Sequence, residues 1–298
     1  MSLNKPVWKL RDWIDKDRIR FRYLCHNKNA IDLLKLNINK INWHNLSSNK
    51  NAMEILILNQ DKISWSRLSL NKNAIQLLKE NKEKIDWQNL SCNINAIELL
   101  KENKEKIDWS YLSTNKNAID LLLENPDKIN YKYLSLNTNP IAIKILEENP
   151  NKIHWFNLSS NKNAIELLEK NKDKINWFML SGNKNAIELL ASNIDEIDWC
   201  SLSSNKNAIK LLKEYEEEIA WFELVSNKNA IDIIKNNLKK INKFYKLLFT
   251  NPEIFELDYE AMKRNNEKME EELIKEVLKP SRVFKNPDYD YLEELFGD

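Results

Sequence analysis

Histidine and cysteine, the side chains most suited to nucleophilic, acid–base and metal chemistry near neutral pH, are few and scattered along the chain. The histidines and cysteines are His26, His44, His154, Cys25, Cys92 and Cys200. The three histidines occupy different positions of the repeat described below, and so do the three cysteines, whereas a metal ion needs ligands that converge within about 2.0–2.3 Å. Neither a disulfide framework nor a Cys–His pair is indicated. We expect no catalytic residues, metal, cofactor or small-molecule substrate, and therefore a protein that is not an enzyme.

Composition excludes further classes of function. The only glycines are Gly182 and Gly297, so the glycine-rich loops that cradle nucleotide phosphates are excluded. The 46 basic and 45 acidic residues leave a net charge of +1, which gives no overall field toward nucleic acid or anionic lipid. No apolar run is long enough for a signal peptide or a bilayer span. We expect a cytoplasmic protein with no membrane partner.

An internal repeat dominates the chain. Its first position is an asparagine, found at residues 27, 49, 71, 93, 115, 137, 161, 183, 205 and 227. The spacing is 22 residues, except after Asn137, where it is 24. The consensus is N-K-N-A-I-x-L-L-x-x-N-x-x-K-I-D-W-x-x-L-S-x, and eight of the ten tryptophans stand at position 17. Tyr131 takes that position once.

Each repeat predicts two short helices. With a helical period, though not with a strand period, one face contains Ala30, Ile31, Leu33 and Leu34. The asparagines at positions 1 and 3 can cap that helix, and Asn at position 11 ends it. Asp, Asn or Ser at position 16 caps a second helix. Helices this short need neighbours on both sides, which predicts an all-α solenoid of about ten two-helix repeats. A leucine-rich repeat shares the period, but its strand motif is missing.

Residues 27–250 hold the ten repeats, and we expect them to form an open, curved rod. Residues 1–26 are interpreted as an N-terminal cap, in which a polar helix carries Trp8 and Trp13 and precedes a degenerate repeat. Residues 251–298 are interpreted as a C-terminal helical cap with an acidic tail. The two extra residues near Pro140 are expected in a loop. The tryptophan column is expected in the core, and the serines at position 21 are expected to satisfy the turns between repeats.

Positions 18 and 19 vary from repeat to repeat, so the residues there could determine which partner the protein binds. Aromatic residues and methionine are enriched in protein interfaces. The candidate protein-binding residues in these columns are Tyr111, Tyr133, Phe156, Phe178, Met179 and Phe222. Packing of these side chains against the next repeat is an equally good interpretation.

The acidic, apolar tail adds Tyr289, Leu292, Leu295 and Phe296 as candidates, because an amphipathic segment could dock into a partner's groove. The tail also resembles the tyrosine–leucine peptides of proteins that bind the cap-binding translation initiation factor, with one residue too many between Tyr289 and Leu295. That resemblance implies a translation-related adaptor. Docking of the tail onto the last repeats is the alternative.

Lysines at positions 2 and 14 form two rows, each present in eight of ten repeats. The alternative to protein binding is a solenoid that binds RNA or single-stranded nucleic acid, since such proteins combine a cationic groove with stacking aromatics. Its candidate residues are Lys28, Lys50, Lys72, Lys116, Lys162, Lys184, Lys206 and Lys228. Acidic residues at positions 6, 10 and 13 favour an ordinary solvated face instead.

The repeat resembles the tandem repeats of uncharacterised proteins from giant nucleocytoplasmic DNA viruses of the mimivirus kind. The resemblance spans roughly residues 8–285 and includes the segment 251–259 and the motif Pro280-Ser281-Arg282. It implies a viral repeat scaffold made in host cytoplasm. Together with the missing active-site constellation, it favours a non-catalytic scaffold that binds a host or viral protein.

Overall fold

The computed structural model describes residues 6–279 and divides into two compact units. The larger unit is Arg11–Ile254, and the smaller one comprises Met1–Leu10 with Phe255–Asp298. The larger unit confirms the predicted all-α solenoid, because short helices recur with the sequence repeat throughout it. The candidate residues Tyr289, Leu292, Leu295 and Phe296 lie outside the described residues.

One helix of each repeat begins at position 17, and we name this set the tryptophan helices. Where position 16 is Asp or Asn, its side chain caps the helix as predicted: Asp108 Oδ1, for example, accepts the backbone N–H of Tyr111 at 3.0 Å. The predicted serine cap is wrong at Ser64, whose side chain makes no cap hydrogen bond. The set comprises Phe21–Leu24, Trp43–Ser47, Trp65–Ser69, Trp87–Ser91, Trp109–Ser113, Tyr131–Leu134, Trp155–Ser159, Trp177–Ser181, Trp199–Ser204, Trp221–Leu224 and Tyr245–Leu248.

The other helix carries the paired leucines, and we name this set the leucine helices. They comprise Ile31–Lys35, Met53–Ile57, Ile75–Glu80, Ile97–Lys101, Ile119–Leu123, Pro140–Glu148, Ile165–Glu169, Ile187–Ala191, Ile209–Glu214 and Ile231–Asn236. Asn at position 11 ends the helix as predicted, since Asn103 Nδ2 donates to the carbonyl of Leu99 at 2.8 Å. The predicted cap at position 3 forms in one leucine helix, Pro140–Glu148, whose N-cap is Asn139. In the other leucine helices the prediction is wrong, because the alanine at position 4 is the N-cap. The amide at position 3 bonds the neighbouring repeat, as when Asn117 donates to Ile94.

A third, unpredicted element links the two helices of each repeat. It is a short 3-10 turn such as Lys104–Lys106, which brings the lysine of position 14 back toward the tryptophan helices. Equivalent turns are Lys16–Arg18, Ile38–Lys40, Gln60–Lys62, Lys82–Lys84, Pro126–Lys128, Pro150–Lys152, Lys172–Lys174, Ile194–Glu196 and Glu216–Glu218. In the last repeat the helix Leu238–Ile241 and the turn Asn242–Phe244 take its place, and further 3-10 turns are Lys228–Ala230 and Pro252–Ile254.

Buried asparagines at position 1 join consecutive repeats in a ladder. Asn115 Nδ2 donates to the carbonyls of Ser91 and Asn93 in the preceding repeat, both at 3.0 Å. Its Oδ1 accepts the backbone N–H of Asn117 at 3.1 Å. A buried carbonyl that loses its partner costs about 1–3 kcal/mol, so each ladder asparagine ties two chain segments together.

The ladder closes on itself. Asn27, in the first complete repeat, donates to the carbonyls of Phe249 at 3.1 Å and Asn251 at 2.9 Å. Asn29 Nδ2 likewise donates to Pro252 O at 3.1 Å, as Asn51 does to Lys28 O in an interior repeat. Asn251 in turn donates to Val225 and Asn227. Residues 11–254 therefore form a closed ring of repeats, and the expected open rod is wrong.

The closing repeat is split between the two ends of the larger unit. Asn251–Ile254 supply its first four positions, where Ile254 N–H donates to Asn251 O just as Ala30 N–H donates to Asn27 O. Residues 11–26 supply its second half, including the helix Phe21–Leu24. Residues 11–26 thus belong to the array, where the sequence indicated a degenerate repeat, and residues 251–254, which the sequence assigned to the C-terminal cap, belong to it as well. The predicted N-terminal helix is wrong, because Trp8 lies in a strand and Trp13 in a turn.

The two-residue insertion after Asn137 does not form the predicted loop. It lengthens a leucine helix, Pro140–Glu148, to nine residues. Asn139 Oδ1 accepts the N–H of Ile141 at 2.9 Å, and Pro140 occupies the first turn, where its missing N–H costs nothing. A good capping residue followed by proline explains why the helix starts earlier here.

The core consists mainly of the leucines at positions 8 and 20, the isoleucine at position 15, the alanine at position 4, and the buried asparagine and serine at positions 1 and 21. Ser91 Oγ donates to Trp87 O at 2.8 Å and accepts the N–H of Asp108 in the next repeat at 3.0 Å. The serine column therefore bridges repeats, as predicted. The tryptophans are only half-buried, so the expectation of a fully internal tryptophan column is wrong.

The smaller unit contains a two-stranded antiparallel sheet and one longer helix. Strand Trp8–Leu10 pairs with Phe255–Leu257, with Trp8 opposite Leu257. The helix Tyr259–Val277 follows, and its N-cap is Asp258, which accepts the N–H of Ala261 at 2.9 Å. This helix lies within the segment 251–298, for which the sequence predicted a helical cap. Among residues 6–279, no helix is both long and apolar enough to cross a membrane.

Candidate interaction surfaces

Phenylalanines at position 18 form the most exposed aromatic surface of the ring. Phe156, Phe178 and Phe222 are 46%, 55% and 52% exposed. Phe156 and Phe178 lie in consecutive repeats, and Phe222 lies two repeats further along. We name these three residues the phenylalanine column. The same position holds Ser66, Gln88, Ser110 and Lys132 in other repeats, so the fold itself does not require an apolar side chain here.

Position 19 is more enclosed than position 18. Tyr111 and Tyr133 stack with ring centroids 5.7 Å apart, and Met179 is likewise half-buried. The structure thus places the six candidate aromatic and methionine residues in two columns. The phenylalanine column is the more exposed of the two, with Phe222 in edge contact with the ring of Phe244 at a centroid distance of 5.5 Å. In the other column, Tyr111 and Tyr133 stack between neighbouring repeats.

A second exposed apolar surface lies on the first two leucine helices. Leu36 and Leu58 are 84% and 78% exposed, and Ile57 is 51% exposed. Positions 9 and 10 carry charged pairs such as Lys79–Glu80 and Lys101–Glu102 in other repeats. This surface was not predicted, although the change from charged to apolar residues at positions 9 and 10 is visible in the sequence.

The lysines at position 2 form a row beside the asparagine ladder, in which Lys162 and Lys228 are half-buried and the others are exposed. A groove crosses four repeats along this row and is lined by Lys162, Lys184 and Lys206 with the ladder asparagines between them. Within residues 6–279, no ion pair involves a lysine of this row. The groove continues toward Glu166 and Glu188, which reduce the positive potential on one side.

The lysines at position 14 have a different role, because each covers the aromatic ring at position 17 of the preceding repeat. Lys128 Nζ lies 4.7 Å from the ring centroid of Trp109, and Lys106 Nζ lies 4.8 Å from that of Trp87. This cation–π geometry is worth about 0.5–1 kcal/mol at exposed sites. The closing repeat follows the same rule, since the Arg18 guanidinium lies 3.9 Å from the ring centroid of Tyr245. We name this row the cation–π ladder.

Two repeats interrupt the cation–π ladder. Position 14 is Glu196 in one and Glu218 in the next, where the preceding rings are Trp177 and Trp199. Trp199 instead contacts the ring of Tyr215, with centroids 5.2 Å apart. The described residues place neither a cation nor an aromatic ring against Trp177.

His26 and His44 lie in one cationic cluster with Arg22 and Arg67, rather than far apart as the sequence suggested. Arg67 Nε donates to His44 Nε2 at 3.0 Å. Partial burial lowers the pKa of His26, and the charges of Arg67, His44 and Arg22 lower it further. His154 lies elsewhere, as the N-cap of the helix Trp155–Ser159.

The three thiols differ in environment. Cys25 is buried at position 21 and Cys92 is half-buried, and burial raises the pKa of both thiols. Cys200 is exposed at position 18, between the repeats of Phe178 and Phe222. No group of three or more His, Cys, Asp or Glu side chains in the described part of the chain is arranged to hold a metal ion.

The chain matches no protein-family model, no curated protein and no solved structure. The function of the protein must therefore be inferred from the surfaces of the ring.

Proposed function

We propose that this protein is a non-catalytic, ring-shaped scaffold that binds another protein through the phenylalanine column. The observation that carries the proposal is the exposure of Phe156, Phe178 and Phe222 at a position where other repeats have polar residues. A repeat fold that tolerates serine there has no structural need for phenylalanine. Aromatic side chains that are buried on association dominate the affinity of many protein interfaces.

The resemblance to repeat proteins of giant viruses supports a host or viral protein as the partner and host cytoplasm as the place of action. The proposal needs no cofactor, membrane or small-molecule substrate.

The experiment is affinity capture from the source cell, with and without nuclease. The test variant carries Phe156→Ser, Phe178→Ser and Phe222→Ser, and the matched control carries Ser66→Ala, Gln88→Ala and Ser110→Ala at the same repeat position. We expect the wild type and the control to retain one protein in fixed stoichiometry after nuclease treatment, and the serine variant to lose it. Equal retention by the serine variant, or loss on nuclease treatment, contradicts the proposal.

Binding of single-stranded nucleic acid is the second candidate function. The supporting observation is the groove along Lys162, Lys184 and Lys206, which form no ion pairs in the described part of the chain. Such binding weakens steeply with salt, because each neutralised phosphate contributes a slope of about −0.7 in log affinity against log salt concentration.

The test of this candidate is the affinity for a fluorescent oligouridylate as a function of salt. Lys162→Gln, Lys184→Gln and Lys206→Gln together should reduce the salt slope, whereas Lys79→Gln, Lys101→Gln and Lys213→Gln at position 9 should not. A wild-type protein that does not bind the probe at low salt excludes this function.

A further inference from the structure

The interruption of the cation–π ladder removes a cation from two neighbouring aromatic sites. Repeats on both sides keep it: Lys174 lies 5.0 Å from the ring centroid of Trp155, and Lys240 lies 4.8 Å from that of Trp221. The backbone of the intervening repeats has the same elements, including the turns Ile194–Glu196 and Glu216–Glu218. Glu196 and Glu218 therefore replace the cations without a change in the local fold.

A carboxylate cannot take the place of the lysine over an indole, because the face of the ring carries negative charge. Trp177 is half-buried, and no cation or ring among residues 6–279 covers it. In the following repeat the ring of Tyr215 contacts that of Trp199, so two aromatic rings lie side by side there. These repeats thus have tryptophans without a covering cation, and acidic residues stand at the repeat position that supplies the cation elsewhere. An aromatic face binds a cationic group by cation–π attraction.

The surroundings of the two tryptophans are acidic as well as apolar. The turn that carries Glu196 also contains Asp195, and Glu216 and Glu217 precede Glu218. All five side chains are exposed, and the described part of the chain gives none of them an ion pair. Phe178 of the phenylalanine column follows Trp177 in sequence, and Phe222 lies in the same repeat as Glu218. Apolar and anionic residues therefore occur in the same or neighbouring repeats.

From this charge complementarity we propose that the partner supplies the missing cation: a lysine or arginine of a basic, apolar peptide segment stacks on Trp177, beside Glu196, while a neighbouring apolar side chain contacts the phenylalanine column. A second basic residue of the same segment binds between Trp199, Tyr215 and Glu218. This inference rests on the proposed function, because it names the chemistry of the partner that the same surface binds.

The probe is a short peptide of alternating arginine and leucine, compared with the same peptide in which citrulline replaces arginine. Binding is measured by calorimetry with the full chain and is localised from the indole N–H resonances of Trp177 and Trp199. We expect the arginine peptide to bind at least about tenfold more tightly than the citrulline peptide, and to shift those two resonances rather than that of Trp87, which Lys106 covers.

The decisive variant is Glu196→Lys with Glu218→Lys, which restores the residue that other repeats carry at position 14 and should therefore fold. It should fill both sites and reduce the affinity for the arginine peptide by about tenfold or more. The matched control is Glu83→Lys with Glu105→Lys at position 13 of other repeats, which makes the same change in net charge and should leave the affinity within about twofold.

Equal affinities for the two peptides, or equal losses in the control and the test variant, overturn the inference. Its failure can be distinguished from that of the proposed function. In one outcome, the serine variant of the phenylalanine column loses the captured protein, whereas the lysine variant retains it and binds the arginine peptide as the wild type does. In that case only the basic-segment inference fails. If the peptide results are as expected but no protein is captured, only the scaffold proposal fails.

Discussion

The side-chain amide of Asn27 donates a 2.9 Å hydrogen bond to the backbone carbonyl oxygen of Asn251, across 224 residues of sequence. The same bond joins Asn49 to Asn27 and Asn115 to Asn93, at 3.1 and 3.0 Å. The first and last asparagines of the ladder are therefore neighbours. The array has no terminal repeat of the kind that an open solenoid must cap.

Closure predicts that Asn27 is as important for stability as an interior ladder residue. Asn27→Ala and Asn115→Ala each leave two buried carbonyls without a donor, so each should lower the free energy of unfolding by about 2–5 kcal/mol. Equilibrium denaturation in urea measures both values.

Asn207→Ala is the control for this comparison, because Asn207 is exposed and its amide makes one bond, to Lys184 O. We expect it to cost less than about 1 kcal/mol. A stability loss for Asn27→Ala as small as that of the control, with a large loss for Asn115→Ala, would indicate an open array.

The repeat period made much of this fold predictable. Local chemistry that recurs in each repeat predicts the capping residues at position 16, the helix end at position 11 and the bridging serines. Closure was harder to predict, because it depends on residues that depart from the consensus. Asn251 follows Asn227 by 24 residues, the spacing already seen after Asn137. The last repeat is nevertheless hard to recognise, because Tyr245 replaces the tryptophan at position 17 and Phe249 replaces the serine at position 21.

The cation–π ladder predicts energetic coupling between repeats. Lys128→Gln and Trp109→Leu should show a coupling energy of about 0.5–1 kcal/mol in a double-mutant cycle, because Lys128 Nζ lies 4.7 Å from the indole centroid. Lys116→Gln with Trp109→Leu serves as the uncoupled pair, since Lys116 belongs to the position 2 row. Additive effects in the first cycle would show that the lysine does not stabilise the ring.

Thiol reactivity should separate the three cysteines. The thiolate is the reactive form, and burial raises the pKa of Cys25 and Cys92, so both should react slowly at neutral pH and faster only as the pH rises. Exposed Cys200 should give the one fast phase with an aromatic disulfide reagent. Cys200→Ser should abolish that phase, whereas a fast phase that survives the substitution contradicts the assigned burial.

The lowered pKa of His26 predicts a pH dependence of stability. The folded state binds the proton less readily than the unfolded state, whose histidine pKa is about 6.5. Stability from this group is therefore fully present above about pH 6.5, and it is lost as the pH falls from there through the folded pKa. Unfolding of the wild type and of His26→Gln between pH 8 and pH 5, roughly the range in which histidine titrates, tests this. Parallel curves contradict the prediction.

The candidate surfaces were predictable to different degrees. The variable columns at positions 18 and 19 identified Phe156, Phe178 and Phe222, but only the fold separates them from the enclosed Tyr111 and Tyr133. The tryptophans looked like core residues because they follow a buried isoleucine at a fixed spacing. Their partner is the lysine at position 14 of the next repeat, and a contact between repeats is not readable from spacing within one. Glu196 and Glu218 gained significance only once that contact was known.

A distance measured between the first and last repeats, where Asn27 meets Asn251, distinguishes a closed ring from an open array. Spin labels at residues 28 and 252 occupy position 2 of the two repeats that meet there, and labels at 28 and 50 occupy position 2 of repeats that are consecutive in sequence. Serine can replace Cys25, Cys92 and Cys200, because other repeats carry it at each position. The closed ring predicts overlapping short distance distributions for the two pairs. A long distance for 28 and 252 beside a short one for 28 and 50 would contradict it.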